Sequence, residues 1–585
     1  MCGIIGYVGA KNANEVVLKG LKTLEYRGYD SFGIANITDK INIFKDTGKI
    51  GEVQETPLPT SNIAIAHTRW ATHGNVTQEN AHPHLSNNKK IAVVHNGIIE
   101  NFQELRAFLI SEGYQLESET DTEVIPILVQ YFMDKTDNLD MAFVQTLDKL
   151  KGSYAIALIY EELKTIFFAR NGSPLILGIG DGENFVASDV PAFLEHTKQV
   201  IYLDDFERGY ITDSEYEVFC VHNGEPVNKE IKIIEWDIEQ AKKGDYPHFM
   251  LKEINEQKTS VQLAIEQPQE LFEKIACQIQ QAKKVFFIGC GTSYHACVSA
   301  SYLFSHVARK QVSCILASEF RNYKHFIDDE TLVIGVSQSG ETADLLDAIK
   351  VAKNKQAKVI ALVNVMGSTL TRIADYTILM NAGPEICVLS TKSYTSQLAI
   401  LTLLAYATAS KFEEGKLLIE KAIDNIPQVV DENVDKLKDL AKKIKSSQDI
   451  FLIGRDLAYP SAVEGALKIK EVSYIHAEGF AGGELKHGTI ALIDQGTPVL
   501  VFATDRTRQL ILSNAMEIKA RGGYIIGIDS KENSIYDYLI KVPASGDCDP
   551  ITMIIPIQIL SYYLALERDC DPDKPRNLAK SVTVR

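Results

Sequence analysis

Two stretches of this chain repeat one rhythm: an apolar strand, a loop of Gly and Ser, then a long helix. VFFIG (285–289), LVIGV (332–336) and VIALV (359–363) form the first set; IFLIG (450–454), PVLVF (498–502) and YIIGI (524–528) form the second. Phe286 to Val333 is a step of 47 residues, and Phe451 to Val499 a step of 48. Short apolar runs without polar alternation are buried on both faces, as the strands of a parallel sheet are. Parallel neighbours need a crossover, usually a helix, and a helical pattern succeeds each run. Two copies of one doubly wound parallel α/β module therefore account for the chain beyond about residue 275.

The first 235 or so residues read differently. Ile4–Val8, Ile63–His67, Ile91–His95, Tyr154–Ile159, Thr165–Ala169 and Phe185–Ser188 are short β-branched runs, most of them separated by Gly, Asn or Asp turns. Antiparallel hairpins are expected there. Glu15–Leu24, Asn101–Glu112 and Asp121–Met133 carry apolar residues at helical spacing, so this half is an α+β layered domain. Residues 236–264 are charged and poor in strand formers and read as a helical linker.

Sixty basic against seventy-seven acidic residues leave a net charge of −17, which argues against nucleic acid or an anionic membrane as partner. Nine cysteines, an odd number without CxxC spacing, read as reduced thiols and not as a disulfide framework or zinc site. The apolar stretches Leu398–Ala409 and Ile551–Leu566 are short, or interrupted by Pro556 and Gln558, and are expected to be buried helices. The start of the chain has no basic segment ahead of its apolar residues, and a cytoplasmic protein is expected.

Cys2 directly follows Met1. Removal of Met1 would join a thiol and a free α-amine in one residue, nucleophile and base together. The surrounding text, MCGIIGYVG, EYRGYDSFG (25–33), HTRWATHG (67–74), HNGIIEN (95–101) and SETDTE (118–123), resembles the N-terminal-nucleophile glutamine amidotransferase family. That resemblance implies Arg69 for the glutamine carboxylate, Asp121 for its ammonium, Asn96 and Gly97 as oxyanion hole, and Trp70, Thr72 and His73 as pocket wall. His67, His73, His82, His84 and His95 crowd into 29 residues but lack Cys or carboxylate partners at ligand spacing, so no metal site is expected.

In the repeated half, GVSQSGET (335–342) joins a strand to a helix and gathers hydroxyls, backbone N–H groups and a positive helix end, as phosphate requires. CGTSYHA (290–296) and STKSYTSQ (390–397) occupy comparable loops, and with them the region resembles the sugar isomerase domain family. The resemblance implies phosphate contacts from Ser337, Gln338, Ser339 and Thr342, and a sugar pocket of Cys290, Gly291, Thr292, Ser293, Val388 and Ser390. Glu464, Lys468 and Glu471 fall at i, i+4 and i+7, one face of a helix, either a solvated ion-pair ladder or a catalytic set.

With AGGELKHGTIAL (481–492) and PRNLAKSVTVR (575–585), the whole chain is similar to the isomerising, glutamine-dependent family that makes glucosamine 6-phosphate from fructose 6-phosphate. The implied architecture is an N-terminal-nucleophile hydrolase layered α+β domain (2–235), the linker (236–264) and two doubly wound α/β sugar isomerase domains (265–425 and 426–585). The implied reaction uses neither metal nor redox cofactor and feeds UDP-N-acetylglucosamine synthesis. His487 would open the sugar ring, Glu471 move the carbon proton, Lys468 stabilise the enol oxygens and Lys580 form a Schiff base. Trp70 would gate ammonia, and a homodimer is expected. The alternative is a related amidotransferase acting on another ketose phosphate. Two departures from the family pattern are Asp456, at a common glycine position, and the terminal Arg585.

Overall fold

The structure is a computed structural model that describes residues 2–71, 73–234 and 242–583. It consists of two compact units: Met1–Glu239 with Ser581–Arg585, and Gln240–Lys580.

The first unit is built on two antiparallel sheets, of eight and six strands. Strand β1 (Gly3–Gly9) and its neighbour β2 (Ile63–Arg69) lie inside the larger sheet, with Gly3 opposite Thr68. Strands β3 (Ile91–Ile99) and β4 (Gly152–Tyr160) pair inside the smaller. Strict alternation decides which way each side chain faces. On β4, Ala155, Ala157 and Ile159 pack with Ile4, Val8 and Ile65 of the other sheet. Tyr154, Ile156 and Leu158 face the opposite way, into helices α2 (Val124–Thr136) and α3 (Leu139–Lys149). Burial on both faces is why β3 and β4 read as continuous apolar runs. Helix α1 (Ala13–Thr23), capped by Asn12, covers β1 and β2.

The second unit holds two five-stranded parallel sheets. One comprises β5 (Lys284–Gly289), β6 (Ser313–Leu316), β7 (Thr331–Ser337), β8 (Lys358–Val363) and β9 (Tyr376–Leu379), in the order β6-β5-β7-β8-β9. The other comprises β10 (Asp449–Gly454), β11 (His476–Ala481), β12 (Pro498–Phe502), β13 (Tyr524–Asp529) and β14 (Tyr538–Lys541), in the order β11-β10-β12-β13-β14. The orders are identical. Phe286 stands opposite Val333, and Phe451 opposite Val499, so the residues that mark the sequence repeat are cross-strand neighbours.

Two expectations are corrected. The described part of the segment read as a linker forms helices α4 (Phe249–Asn255) and α5 (Gln257–Ile265), whose Met250, Ile254 and Val261 are buried in the core of the second unit. The charged residues of α4, Lys252 and Glu253, are buried with them, and Lys258 of α5 is exposed. The boundary expected at 425/426 falls inside one continuous helix, Phe412–Ile444. The stretch Ile551–Leu566 lies, as expected, in a buried helix, Asp549–Glu567, which runs through Pro556. By length and composition Gly546–Glu567 could cross a membrane, but 89% of its apolar window is buried in the protein.

Candidate active sites

Cys2 enters β1 beside the end of β2. Its Sγ accepts the Trp70 N–H at 3.2 Å, because the antiparallel pairing of β1 and β2 brings residues 2 and 70 together. Burial pushes the Cys2 thiol up, so it needs a base to ionise. A cleft of about 530 Å³, its open mouth included, is lined by Cys2, Arg69, Trp70, His73, Asn96, Gly97 and Asp121. Every expected glutaminase residue is therefore at one site except Thr72, which lies outside the described residues.

The Asn96 side chain sets the donor geometry. Its Nδ2 donates to the Cys2 carbonyl at 2.9 Å and to Ser188 Oγ at 2.8 Å. Its Oδ1 lies 3.0 Å from His67 Nε2, which is also 3.1 Å from the His95 carbonyl. Both neighbours are acceptors, so Nε2 carries the hydrogen. Burial lowers the His67 pKa to about 3, which keeps the ring neutral and in that tautomer. Next to Asn96, Gly97 has φ +133°, and an added Cβ would meet the Ser153 carbonyl oxygen at 2.0 Å. Only glycine fits there.

Arg69 donates to the carbonyls of His73, Asn75 and Gly74, the last two at 3.1 Å, so its guanidinium also ties down the loop it precedes. Asp121 Oδ2 accepts the Ile99 N–H at 2.8 Å. Sequence reasoning missed Thr120, Thr122, His82, His95, Pro174 and Thr583 in the lining. The two threonines flank Asp121 in a segment already singled out, whereas Pro174 and Thr583 come from distant segments without a motif. His67, His82, His84 and His95 form a neutral polar wall. His67 stacks on His82 at 4.1 Å, His95 Nδ1 lies 2.8 Å from Thr122 Oγ1, and His84 Nε2 lies 3.0 Å from Thr120 Oγ1. Burial lowers the pKa of His82, His84 and His95.

In the second unit, the loops after β5 and β7 lie on adjacent strands at the point where the strand order reverses, where open α/β sheets bind ligands. Ser337 ends β7, and helix α6 (Ala343–Asn354) starts six residues later. Ser337 Oγ accepts the Gly340 N–H at 3.0 Å, Ser339 Oγ accepts the Glu341 N–H at 3.1 Å, and Thr342 Oγ1 lies 3.4 Å from Ser337 Oγ. The Gln338 carbonyl accepts the Asn364 N–H. Cys290 and Gly291 end the β5 loop, and Thr292 and Ser293 open the helix Thr292–Leu303.

The ladder alternative for Glu464, Lys468 and Glu471 is excluded, because the helix Ala458–Ser473 turns that face inward. Lys468 and Glu464 have fully buried side chains; Lys468 Nζ is 3.1 Å from Glu464 and 3.0 Å from Glu471. It also donates to Thr292 Oγ1 at 2.9 Å and to the Ser390 carbonyl at 3.3 Å, linking the two modules. Glu464 takes further bonds from Thr292 and His295. Burial opposes every charge here, yet the two carboxylates raise the Lys468 pKa, and Lys468 holds Glu464 below the carboxylate range. For Glu471 burial prevails and its pKa rises. Lys470 is exposed.

Lys580 is nearly buried, and its Nζ lies 2.5 Å from Glu385 Oε2, in the loop that leads to Val388 and Ser390. Glu385 and Glu253 carry no sequence signal and were missed. His487 is exposed on the turn Glu484–His487 and, among the described residues, hydrogen-bonds to none of these. Asp456 has φ +54°, the left-handed region that explains a glycine preference, and its carboxylate meets Arg506 at 3.2 Å. Arg585 lies outside the described residues.

Comparison with known proteins agrees with both halves. The sequence profile of the SIS domain matches residues 278–407 and 443–568, and that of the glutamine amidotransferase domain matches 67–195. The chain is 46% identical to glutamine–fructose-6-phosphate aminotransferase [isomerizing] of Thermococcus kodakarensis and 44% identical to that of Clostridium acetobutylicum, each over the full length of both chains. Among solved structures, the C-terminal domain of glucosamine-fructose-6-phosphate aminotransferase from Francisella tularensis is 33% identical, with a TM-score of 0.53, covering 57% of this chain and all of that one.

Proposed function

The chain belongs to the family of isomerizing glutamine–fructose-6-phosphate aminotransferases, and from that premise we propose how its residues divide the reaction. The protein converts D-fructose 6-phosphate and L-glutamine into D-glucosamine 6-phosphate and L-glutamate, a step of amino-sugar synthesis. After removal of Met1, the Cys2 thiolate attacks the glutamine amide carbon, and the Cys2 α-amine takes the thiol proton and delivers it to departing ammonia. Asn96 Nδ2 and the Gly97 N–H stabilise the oxyanion, and Arg69 and Asp121 hold the two charged ends of glutamine. Trp70 and His73 wall the pocket, with Trp70 the gate for ammonia.

Ser337, Gln338, Ser339 and Thr342 hold the sugar phosphate, with Cys290, Gly291, Thr292, Ser293, Val388 and Ser390 around the carbon chain. His487 opens the ring and Lys580 condenses with the C2 carbonyl. Glu471 carries the proton between C1 and C2, a task suited to a carboxyl pushed up by burial. Lys468 stabilises the enol oxygens. The protein acts as a cytoplasmic homodimer, and the exposed His487 is the catalytic candidate whose place such an assembly decides.

The observation that carries the division of labour is the buried Lys580 beside Glu385. The test is a pair of variants assayed with glutamine labelled at its amide nitrogen. Cys2→Ala should lose glutamine hydrolysis and still bind fructose 6-phosphate. Lys580→Ala should lose labelled glucosamine 6-phosphate by orders of magnitude and keep basal glutaminase activity. Normal amino-sugar output from Lys580→Ala would remove the tail from the chemistry.

A further inference from the structure

Glu385 is built to remain an anion. Its side chain is fully buried in the loop between β9 and the helix Lys392–Thr408. Oε1 accepts the N–H groups of Thr391 and Ser393, at 2.9 and 3.0 Å. Oε2 accepts the Ser393 hydroxyl at 2.7 Å and the Lys580 ammonium at 2.5 Å. Two of these donors are free N–H groups of a helix N-terminus, where a negative charge is favoured. Burial alone would raise the Glu385 pKa, but Lys580 and these donors hold it below the carboxylate range.

A second carboxyl, Glu253 on α4, receives the N–H groups of Ile386 and Cys387 with one oxygen, at 2.6 and 3.1 Å. Its other oxygen is buried without a hydrogen-bond partner among the described residues. Burial and the charge of Glu385 drive its pKa up, so it tends to the neutral acid while Glu385 keeps the charge. Glu471 also feels the Lys580 field, Asp573 acts with Lys580 and Glu253 on Cys387, and Lys392 is paired with Glu256 at 2.7 Å.

We propose that Glu385 is the fixed counter-ion of the Lys580 nitrogen, pairing first with its ammonium and then with the protonated imine formed with the ketose. The proposal rests on the Schiff-base reading of Lys580. In that step the Lys580 N–C2 bond forms and the C2–O bond breaks. Two hydrogens of the ammonium leave with the carbonyl oxygen as water, and the nitrogen keeps one hydrogen and its positive charge. No net proton is released. The nitrogen is cationic before and after, so it needs a partner that stays ionised, and a carboxylate saturated by four donors is a weak base and a steady anion. The transient proton passes to another group, and Glu471 is within reach of the Lys580 field. Anchoring also fixes the amine on a segment, residues 571–583, that contains neither helix nor strand.

The experiment is borohydride trapping with fructose 6-phosphate on the full chain, read by peptide mass spectrometry beside amino-sugar synthesis and basal glutaminase activity. In the wild type the adduct should map to Lys580. Glu385→Gln should reduce both adduct and synthesis by about a hundredfold or more, since a buried cation loses its charge partner. Glutaminase should be unchanged, and Glu385→Asp should recover part of the loss. Ser393→Ala removes one donor, so Glu385 protonates more easily, and the acid limb of synthesis should move to higher pH by about half a unit or more. This variant decides the matter if Glu385→Gln fails to fold. Wild-type trapping at Lys580 with equal trapping in Glu385→Gln, or an unmoved acid limb in Ser393→Ala, overturns the counter-ion and leaves the Schiff base standing. Absence of a Lys580 adduct in the wild type overturns both.

Discussion

Replacing Lys468 by Met removes a charge and little volume from the centre of the second unit. The wild-type ammonium has no exposed surface and lies 3.1 Å from Glu464, itself fully buried, and 3.0 Å from Glu471. Lys468→Met therefore leaves Glu464 ionised in the interior without its main partner, and breaking a buried pair in this way costs about 3–5 kcal/mol. With an unfolding entropy of about 2.1 cal/mol/K per residue, a unit of roughly 340 residues should lose about 4–7 °C in Tm. The pH dependence should also reverse. In the wild type the Glu464 pKa is depressed, so its contribution is present above the unfolded carboxylate pKa and is lost as pH falls through the folded value. In Lys468→Met the folded pKa rises above the unfolded one. The penalty is then absent at low pH and grows as pH rises past about 4.3. Thermal melts of Lys468→Met and of Lys468→Met with Glu464→Gln, at pH 7.5 and 5.5, measure the effect. The double variant should regain most of the loss at pH 7.5. A single variant as stable as the wild type at pH 7.5, or a double variant no better than the single, would refute the reasoning.

Three further outcomes are expected. His67→Leu removes the N–H that orients the Asn96 amide, so glutaminase kcat should fall about ten- to a hundredfold with KM little changed, and His67→Gln should recover part; full kcat in folded His67→Leu would sink the idea. Gly97→Ala forces a side chain into the Ser153 carbonyl at a left-handed φ, so glutaminase should disappear or the first unit should lose about 3 kcal/mol or more; activity within twofold of wild type would contradict this. Asp456→Gly relieves about 1 kcal/mol of left-handed strain and loses a partly exposed ion pair of similar size, so calorimetry should find stability within about 1 kcal/mol and synthesis unchanged.

Local pattern determined much of this protein. Strand runs buried on both faces, the repeat that places Phe286 against Val333, and the shared face of Glu464, Lys468 and Glu471 all arise from periodicity and spacing, which need no partner to be read. The glutaminase cleft was legible for a related reason: its residues come in short blocks on β2, β3 and the loops beside them. Tertiary structure alone decided what covers each face. The ladder at 464–471 could have been solvated; packing against Thr292 and Ser390 buries Glu464 and Lys468 and leaves Glu471 partly exposed. Pro556 looked like an interruption, yet the helix runs through it inside the core. Spacing placed His487 near its motif and said nothing of its exposure. The Lys580–Glu385 pair joins residues 195 positions apart, and no periodicity spans that distance. A sequence states which groups are charged, but the cost of a charge depends on what excludes water from it, and that is settled only when distant segments close over the same point.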